Sequence, residues 1–288
     1  MLNLLRMEIR KLFRDKGLYI TMAVFFGILV IAFVTLKLMS SSSLMEWAID
    51  NGFEFSVQDQ ADTQEFLNST QIDFLSNLLF SGGLMAALAG ITSSILTCSD
   101  FATGFSKNIF SYYPDRKSYI MAKLGCHCIM NGFFMVSLTL FTLILFLLMG
   151  FSNPLGDPLH LLLMLAVGWI ALIPISAQNL LFCMLTRNPV ISSILSVCCG
   201  MGVVAGTLNL FTGFFGIQIA PLFPPYLLMN APFISGAGSS LTITSLTTNL
   251  LAVGAGTGGI LLSVFASLLW SVFYIWASGK VLEKKDIC

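Results

Sequence analysis

A chain of 288 residues in which 56% are hydrophobic and 10% charged, with a mean hydropathy of +0.88, has too few ionic groups to cover a soluble globule of its size. Its formal charge of +0 hides a segregation of acids and bases along the chain. These features exclude a soluble enzyme and point to an all-α polytopic membrane protein with the lipid bilayer as solvent, and no nucleic-acid partner is expected.

Residues 1–16, MLNLLRMEIRKLFRDK, place Leu2, Leu5, Ile9, Leu12 and Phe13 on one helical face and Arg6, Arg10, Lys11 and Arg14 on another. That pattern suits an amphipathic helix in the membrane interface, or a positively charged flank that only fixes orientation; both readings keep it cytoplasmic. The first span is expected over 17–39, too long and too charged at its front for a cleavable signal peptide. Segment 40–73 carries Glu46, Asp50, Glu54, Asp59, Asp62, Glu65 and Asp73 without a single Lys or Arg, and is expected outside.

A second span follows over 74–99, where Gly82, Gly83, Ala86, Ala87, Ala89 and Gly90 offer small surfaces for close helix contact. The polar stretch 100–123, with Lys107, Arg116, Lys117 and Lys123, is expected to be cytoplasmic. Spans three and four are expected over 124–149 and 161–185, separated by a turn containing Pro154, Asp157 and Pro158. Beyond Arg187 the next charge is Lys280, so breakers divide the rest: span five over 191–215, span six over 256–278, and a proline-rich 216–255 between them. A re-entrant or interfacial segment there keeps the basic tail, 279–288, on the same side as the N-terminus. In this arrangement Lys37 alone among the Lys and Arg residues lies outside, where it can snorkel.

The sequence holds no HExxH pair, no GxSxG elbow and no GxxxxGK[ST] loop, so no catalytic residue is expected and no ATP site of its own. GAGTGG at 254–259 lacks the lysine of a phosphate cradle and reads as helix packing or a flexible entry to span six. Cys126 and Cys128 lack the spacing and partners of a zinc site, so no metal is expected, and none of the seven cysteines lies in an outer segment. Apart from Lys37 at the outer end of the first span, His127 is the ionisable residue inside the expected spans, which leaves little to carry a coupling proton or sodium ion. Energy for any transport is therefore expected from a partner.

The segment SDFATGFSKNIFSYYPDRKSYIMAKL, 99–124, is too long for a tight turn and suits a short helix over Thr103–Phe110. Read by composition, it is either a docking element for a soluble partner or a solvated basic loop. The segment resembles the corresponding loop of type 2 ABC transporter permeases in Asp100, Gly104, Lys107, Asn108, Ile109, Arg116, Tyr119, Ala122 and Lys123, departing at Phe105 and Ser106. MEIRKLFRDK is similar to that family's cytoplasmic elbow helix, with Glu8, Lys11 and Arg14 in matching places beside Arg10. The ending KVLEKKDIC is similar to its basic tail, in Lys284, Lys285, Asp286 and Ile287.

The resemblance implies six spans, two permease subunits per complex as homo- or heterodimer, and a separate ATPase dimer on the cytoplasmic face that binds the ATP and Mg. It implies a prokaryotic plasma membrane and a loop helix that transmits nucleotide-driven closure. Asp100, Gly104, Phe105, Lys107, Asn108, Ile109, Phe110 and Arg116 are then the candidate coupling residues. The compact permeases of peptide-antibiotic export and immunity look most similar, and a path lined by Phe, Leu, Met and hydroxyls suits an amphiphilic cargo. The alternative is a membrane-embedded binding or regulatory protein that transports nothing.

Overall fold

The computed structural model describes residues 2–40, 66–112, 116–213, 223–229 and 257–284, and every regular element among them is a helix. Among the described residues five helices are long and apolar enough to cross a membrane, and a bent pair makes a sixth crossing if it counts as one span. The chain is an all-α polytopic membrane protein.

Helix α1, Leu2–Arg14, leads into α2, Lys16–Ser40, across a break at Asp15, whose carboxylate accepts the Gly17 N–H at 2.9 Å. Leu18, Met22, Phe25, Leu29 and Phe33 recur on the buried face of α2, while Tyr19, Ile20, Val24, Ile28 and Ile31 face outward. The acidic residues expected outside between Glu46 and Glu65 lie outside the described residues. Asp73, expected in that loop, is instead buried in the first turn of α3, Gln71–Ser76, where it forms a reciprocal capping box with Thr70.

The second apolar run, expected as one helix over 74–99, is interrupted. After α3 a π-helical turn spans Asn77–Ser81, and the Gly82 N–H reaches back five residues to the Asn77 carbonyl at 2.6 Å. Gly83 then takes φ +71°, a left-handed conformation that ends the turn, and α4 begins anew as Leu84–Ala102. Hydropathy cannot register this break, because glycine interrupts the backbone without interrupting the apolar run.

After Gly104, also left-handed at φ +71°, α5 spans Phe105–Tyr112 rather than the expected 103–110. The next helix, α6, runs Arg116–Met149 and so starts eight residues before the expected span. An N-cap at Asp157 and Pro158 at the first turn open α7, Pro158–Thr186. The fifth run is broken into α8, Pro189–Gly200, and α9, Val203–Gly213, bent by 54° at left-handed Gly202. The segment expected to be re-entrant, 216–255, lies outside the described residues except for 223–229, which hold a short α10, Pro224–Met229. The last helix, α11, covers Thr257–Lys284 and carries into the expected tail, of which Lys285, Asp286 and Ile287 lie outside the described residues.

Packing follows side-chain size. Helix α11 lies along α7, and α8 lies against α4, where a Cβ added to Gly90 would stand 3.1 Å from the Ser196 Cβ. Ala86 meets Gly200 in the same seam, so the small residues of the second run bring two backbones together. Ser94 shares hydrogen bonds with Ser192 at 3.1 Å and Ser196 at 3.4 Å, and Cys183 meets Ser192 at 3.0 Å. The two broken runs are neighbours at their breaks, since Gly83 faces the Met201 side chain.

At the end of α6 that holds Met149, an aromatic cluster of Phe33, Phe66, Phe74, Phe146 and Phe151 closes the bundle. Asn153 Nδ2 donates to the carbonyls of Phe66 at 2.8 Å and Ser69 at 2.9 Å, pinning the chain across this cap. Lys37 Nζ stands 5.0 Å over the Phe151 ring. The opposite end of α6, about 50 Å away at 1.5 Å per residue, is charged.

Candidate functional site

Four ionic side chains from three helices meet at that charged end. Helix α1 supplies Glu8 and Lys11, α4 supplies Asp100 from its last turns, and α6 supplies Lys123. Lys123 Nζ donates to Glu8 Oε2 at 2.6 Å and pairs with Asp100 on its other side. Lys11 also pairs with Asp100, and the Tyr119 hydroxyl, one turn before Lys123, donates to Asp100 Oδ2 at 3.2 Å. Glu8, Asp100 and Lys123 are 0% exposed, whereas Lys11 is 32% exposed. Two cations and two anions balance, which is the condition under which charge survives in a dry interior.

The cluster revises two readings of the sequence. The α1 face that enters the bundle is Leu4, Glu8 and Leu12, while Leu2 is 75% exposed and Phe13 is also exposed. Periodicity grouped Leu2, Leu5, Ile9, Leu12 and Phe13 as one face for the membrane interface and did not mark Glu8; an ion partner on another helix turns Glu8 into the bundle. The helices that cross the membrane also contain ionisable groups besides His127, since Asp100 lies in α4 and Lys123 in α6. His127, one turn beyond Lys123, is buried and hydrogen-bonded through Nε2 to Thr97 Oγ1 at 3.1 Å.

Helix α5 rests on this cluster. Ser106 and Ile109 are buried, Phe105 and Phe110 are half-buried, and all four recur on one side of the helix. Lys11 Nζ sits 5.0 Å over the Phe105 ring, and Phe110 meets Tyr119 edge-on at 5.1 Å. Around them Leu4, Ile120, Met184 and Leu282 complete a small apolar core drawn from α1, α6, α7 and α11. Arg116 at the start of α6 donates from Nη1 to the Leu282 carbonyl at 2.5 Å, tying α6 to the end of α11. Arg187, in a left-handed conformation at the end of α7, lies 5.7 Å from the Phe101 ring.

The candidate coupling residues are thus divided. Asp100, Phe105, Ile109, Phe110 and Arg116 engage the chain's own bundle, and Gly104 supplies the turn that lets α5 fold back. Lys107 and Asn108 belong to α5, at positions outside the side shared by Phe105, Ser106, Ile109 and Phe110 by helical spacing, and their side chains lie outside what the structure describes. Among the elbow residues, Glu8 and Lys11 enter the ion cluster, whereas Arg10 and Arg14 stay exposed. Sequence reasoning missed Lys123 and Tyr119 as members of the site. The available signal was an unmatched buried-phase acid in α1 together with a lysine two turns into an otherwise apolar helix.

Among the described residues no group of His, Cys, Asp or Glu could hold a metal ion, and the charges of the cluster are paired with one another. The arrangement is a joint: one buried ion cluster fastens the first helix to the two helices that flank α5.

A family model described as ABC-2 family transporter protein matches residues 4–203, from the first turn of α1 to the first residue of α9. No match was found among curated proteins or among solved structures.

Proposed function

The chain belongs to the ABC-2 family of transporter proteins, and on that footing we propose that it is the permease subunit of an ATP-driven exporter of amphiphilic cargo. ATP hydrolysis falls to a separate cytoplasmic ATPase dimer, and a second permease subunit, identical or related, completes the path in the plasma membrane of a prokaryote. Both termini face the cytoplasm in this reading, supported by the one-sided placement of Lys and Arg. Export of peptides, antibiotics or lipid-like molecules is favoured by a membrane interior rich in Phe, Leu, Met and hydroxyl groups.

The observation that carries the reading is the seating of α5 on the ion cluster. A soluble partner that pushes on the outer side of α5 moves a helix whose inner side rests on Lys11, Tyr119 and Ile120, and through them on α1 and α6. Because packed interfaces switch between discrete arrangements rather than deform smoothly, the push is passed to whole helices.

The test separates the two sides of α5. Phe105→Ala with Phe110→Ala removes its inner anchors, and the variant is expected to insert and still bind the ATPase while cargo-stimulated hydrolysis is lost. Lys107→Glu with Asn108→Ala is expected to release the ATPase from the purified complex without changing the melting of the permease. Failure of any ATPase to co-purify with the wild-type chain would sink the exporter reading in favour of a binding or regulatory role.

A further inference from the structure

Cys98 and Cys183 are both 0% exposed and come from different helices, each about one turn before the end of its own, α4 and α7. The two thiols are hydrogen-bonded to each other where α4 packs on α7. Their surroundings are polar. Cys183 Sγ stands 3.0 Å from Ser192 Oγ in the first turn of α8, and Ser192 shares a hydrogen bond at 3.1 Å with Ser94, one turn before Cys98 on α4. Two sulfurs and two hydroxyls from three helices thus form one buried chain.

Cys126 is the contrast. It is equally buried, but it packs in the apolar core, where a thiol behaves as a small hydrophobe. Thiols are oxidised through their anionic form, which needs donors nearby. Ser192 can donate to Cys183 Sγ while Ser94 donates to Ser192, so this chain supports charge on Cys183 with Cys98 already in contact as the resolving thiol. Asp100 follows Cys98 by two residues and Arg187 follows Cys183 by four, which sets the pair beside the charged end of the bundle, within reach of a small uncharged oxidant.

We propose that Cys98 and Cys183 are a redox pair that closes to a disulfide under hydrogen peroxide and fastens α4 to α7. The Cys183 sulfur attacks one peroxide oxygen and the O–O bond breaks; the Cys183 proton goes to the departing hydroxide, leaving a sulfenic acid and one water. The Cys98 sulfur then attacks the Cys183 sulfur, the S–S bond forms as the S–O bond breaks, and the Cys98 proton leaves with that hydroxide as a second water. The thiols are oxidised by two electrons and the peroxide is reduced to two waters. A thiol reductant reverses the bond by exchange. Because α4 runs into α5 through Gly104, an α4 bonded to α7 can no longer shift with α5. That consequence rests on the exporter reading; the bond itself does not.

The experiment treats the full-length protein in lipid nanodiscs with hydrogen peroxide, denatures it in N-ethylmaleimide, digests it and maps the thiols by mass spectrometry. Cys98 and Cys183 are expected to lose alkylation together and to appear as one linked peptide pair, and reduction before alkylation should restore both. Cys126 should stay alkylated at that dose. In Cys98→Ser the sulfenic acid has no resolving thiol, so dimedone should trap it at Cys183. The wild-type map decides even where a serine variant misfolds, which elution and melting report.

Oxidation of the two cysteines without a linked peptide, or of Cys126 as readily as of the pair, overturns the proposal. In the complex with the ATPase, peroxide should abolish cargo-stimulated hydrolysis, dithiothreitol should restore it, and Cys98→Ser should be spared. A disulfide that forms and leaves hydrolysis unchanged overturns the switch and not the exporter reading, whereas a chain that forms the disulfide but binds no ATPase overturns the exporter reading alone.

Discussion

Replacing Lys123 by methionine tests the joint most directly, because methionine keeps the length and apolar body of the side chain and deletes only its charge. Lys123 stands between Glu8 and Asp100 where none of the three side chains is exposed. Asp100 would keep Lys11 and the Tyr119 hydroxyl, but Glu8 would lose the lysine that holds its Oε2 while its Oε1 already lacks a hydrogen-bond partner. Removing one partner from a buried pair costs about 3–5 kcal/mol, far more than loss of an exposed pair at about 0–1 kcal/mol. For a chain of 288 residues that corresponds to a fall in Tm of roughly 5–8 °C.

The decisive control is the second change. Lys123→Met with Glu8→Gln removes one charge of each sign and leaves Lys11 and Asp100 paired, so at least half of the lost stability is expected to return. Thermal unfolding in detergent, read by tryptophan fluorescence and by the monodisperse fraction after heating, measures both variants. A single variant that melts within about 1 kcal/mol of wild type, or a double variant less stable than the single, would refute the buried-cluster reasoning.

Three further outcomes are expected. Gly90→Leu should destabilise the bundle by about 1–3 kcal/mol, because its Cβ alone would stand 3.1 Å from Ser196 Cβ and 3.3 Å from the backbone there; Gly90→Ala should melt between the two. Asn153→Ala should lower Tm by the cost of stranding the Phe66 and Ser69 carbonyls, about 1–3 kcal/mol, while leaving ATPase association unchanged, and a loss of association would contradict the assignment of that cap to folding. Asp157→Cys, at an exposed turn, should react with an impermeant thiol reagent added to intact cells when the native cysteines have been removed, and labelling only after lysis would reverse the orientation.

The membrane-crossing helices were legible because length and hydropathy are additive properties of neighbouring residues. Lys16–Ser40 and Pro158–Thr186 lie close to their expected runs for that reason. The departures occur where a single residue's partner is distant in sequence. Lys123 marked the edge of a span only while it had no counter-ion; with Glu8 115 residues away, it becomes an interior residue and α6 extends to Arg116. Gly83 and Gly202 break helices that hydropathy draws as continuous, because their left-handed backbone is invisible to an apolar average.

For the candidate site the same division holds. The resemblance already quoted Glu8, Lys11, Asp100, Tyr119 and Lys123, yet as separate matches in two motifs, with no statement that they touch. Phe105 and Phe110 read as partner-facing aromatics, since an exposed-looking loop gave no sign of the Tyr119 ring or of Leu282 beneath it.

By itself the sequence determined the solvent, the all-helical class and the apolar runs, all of which follow from composition and local order. Only the tertiary structure decided which charges are buried, which side of α5 is occupied and where two spans break. Those depend on ion pairs and close backbone contacts between helices a hundred residues apart, whose energies exist only once the helices have met.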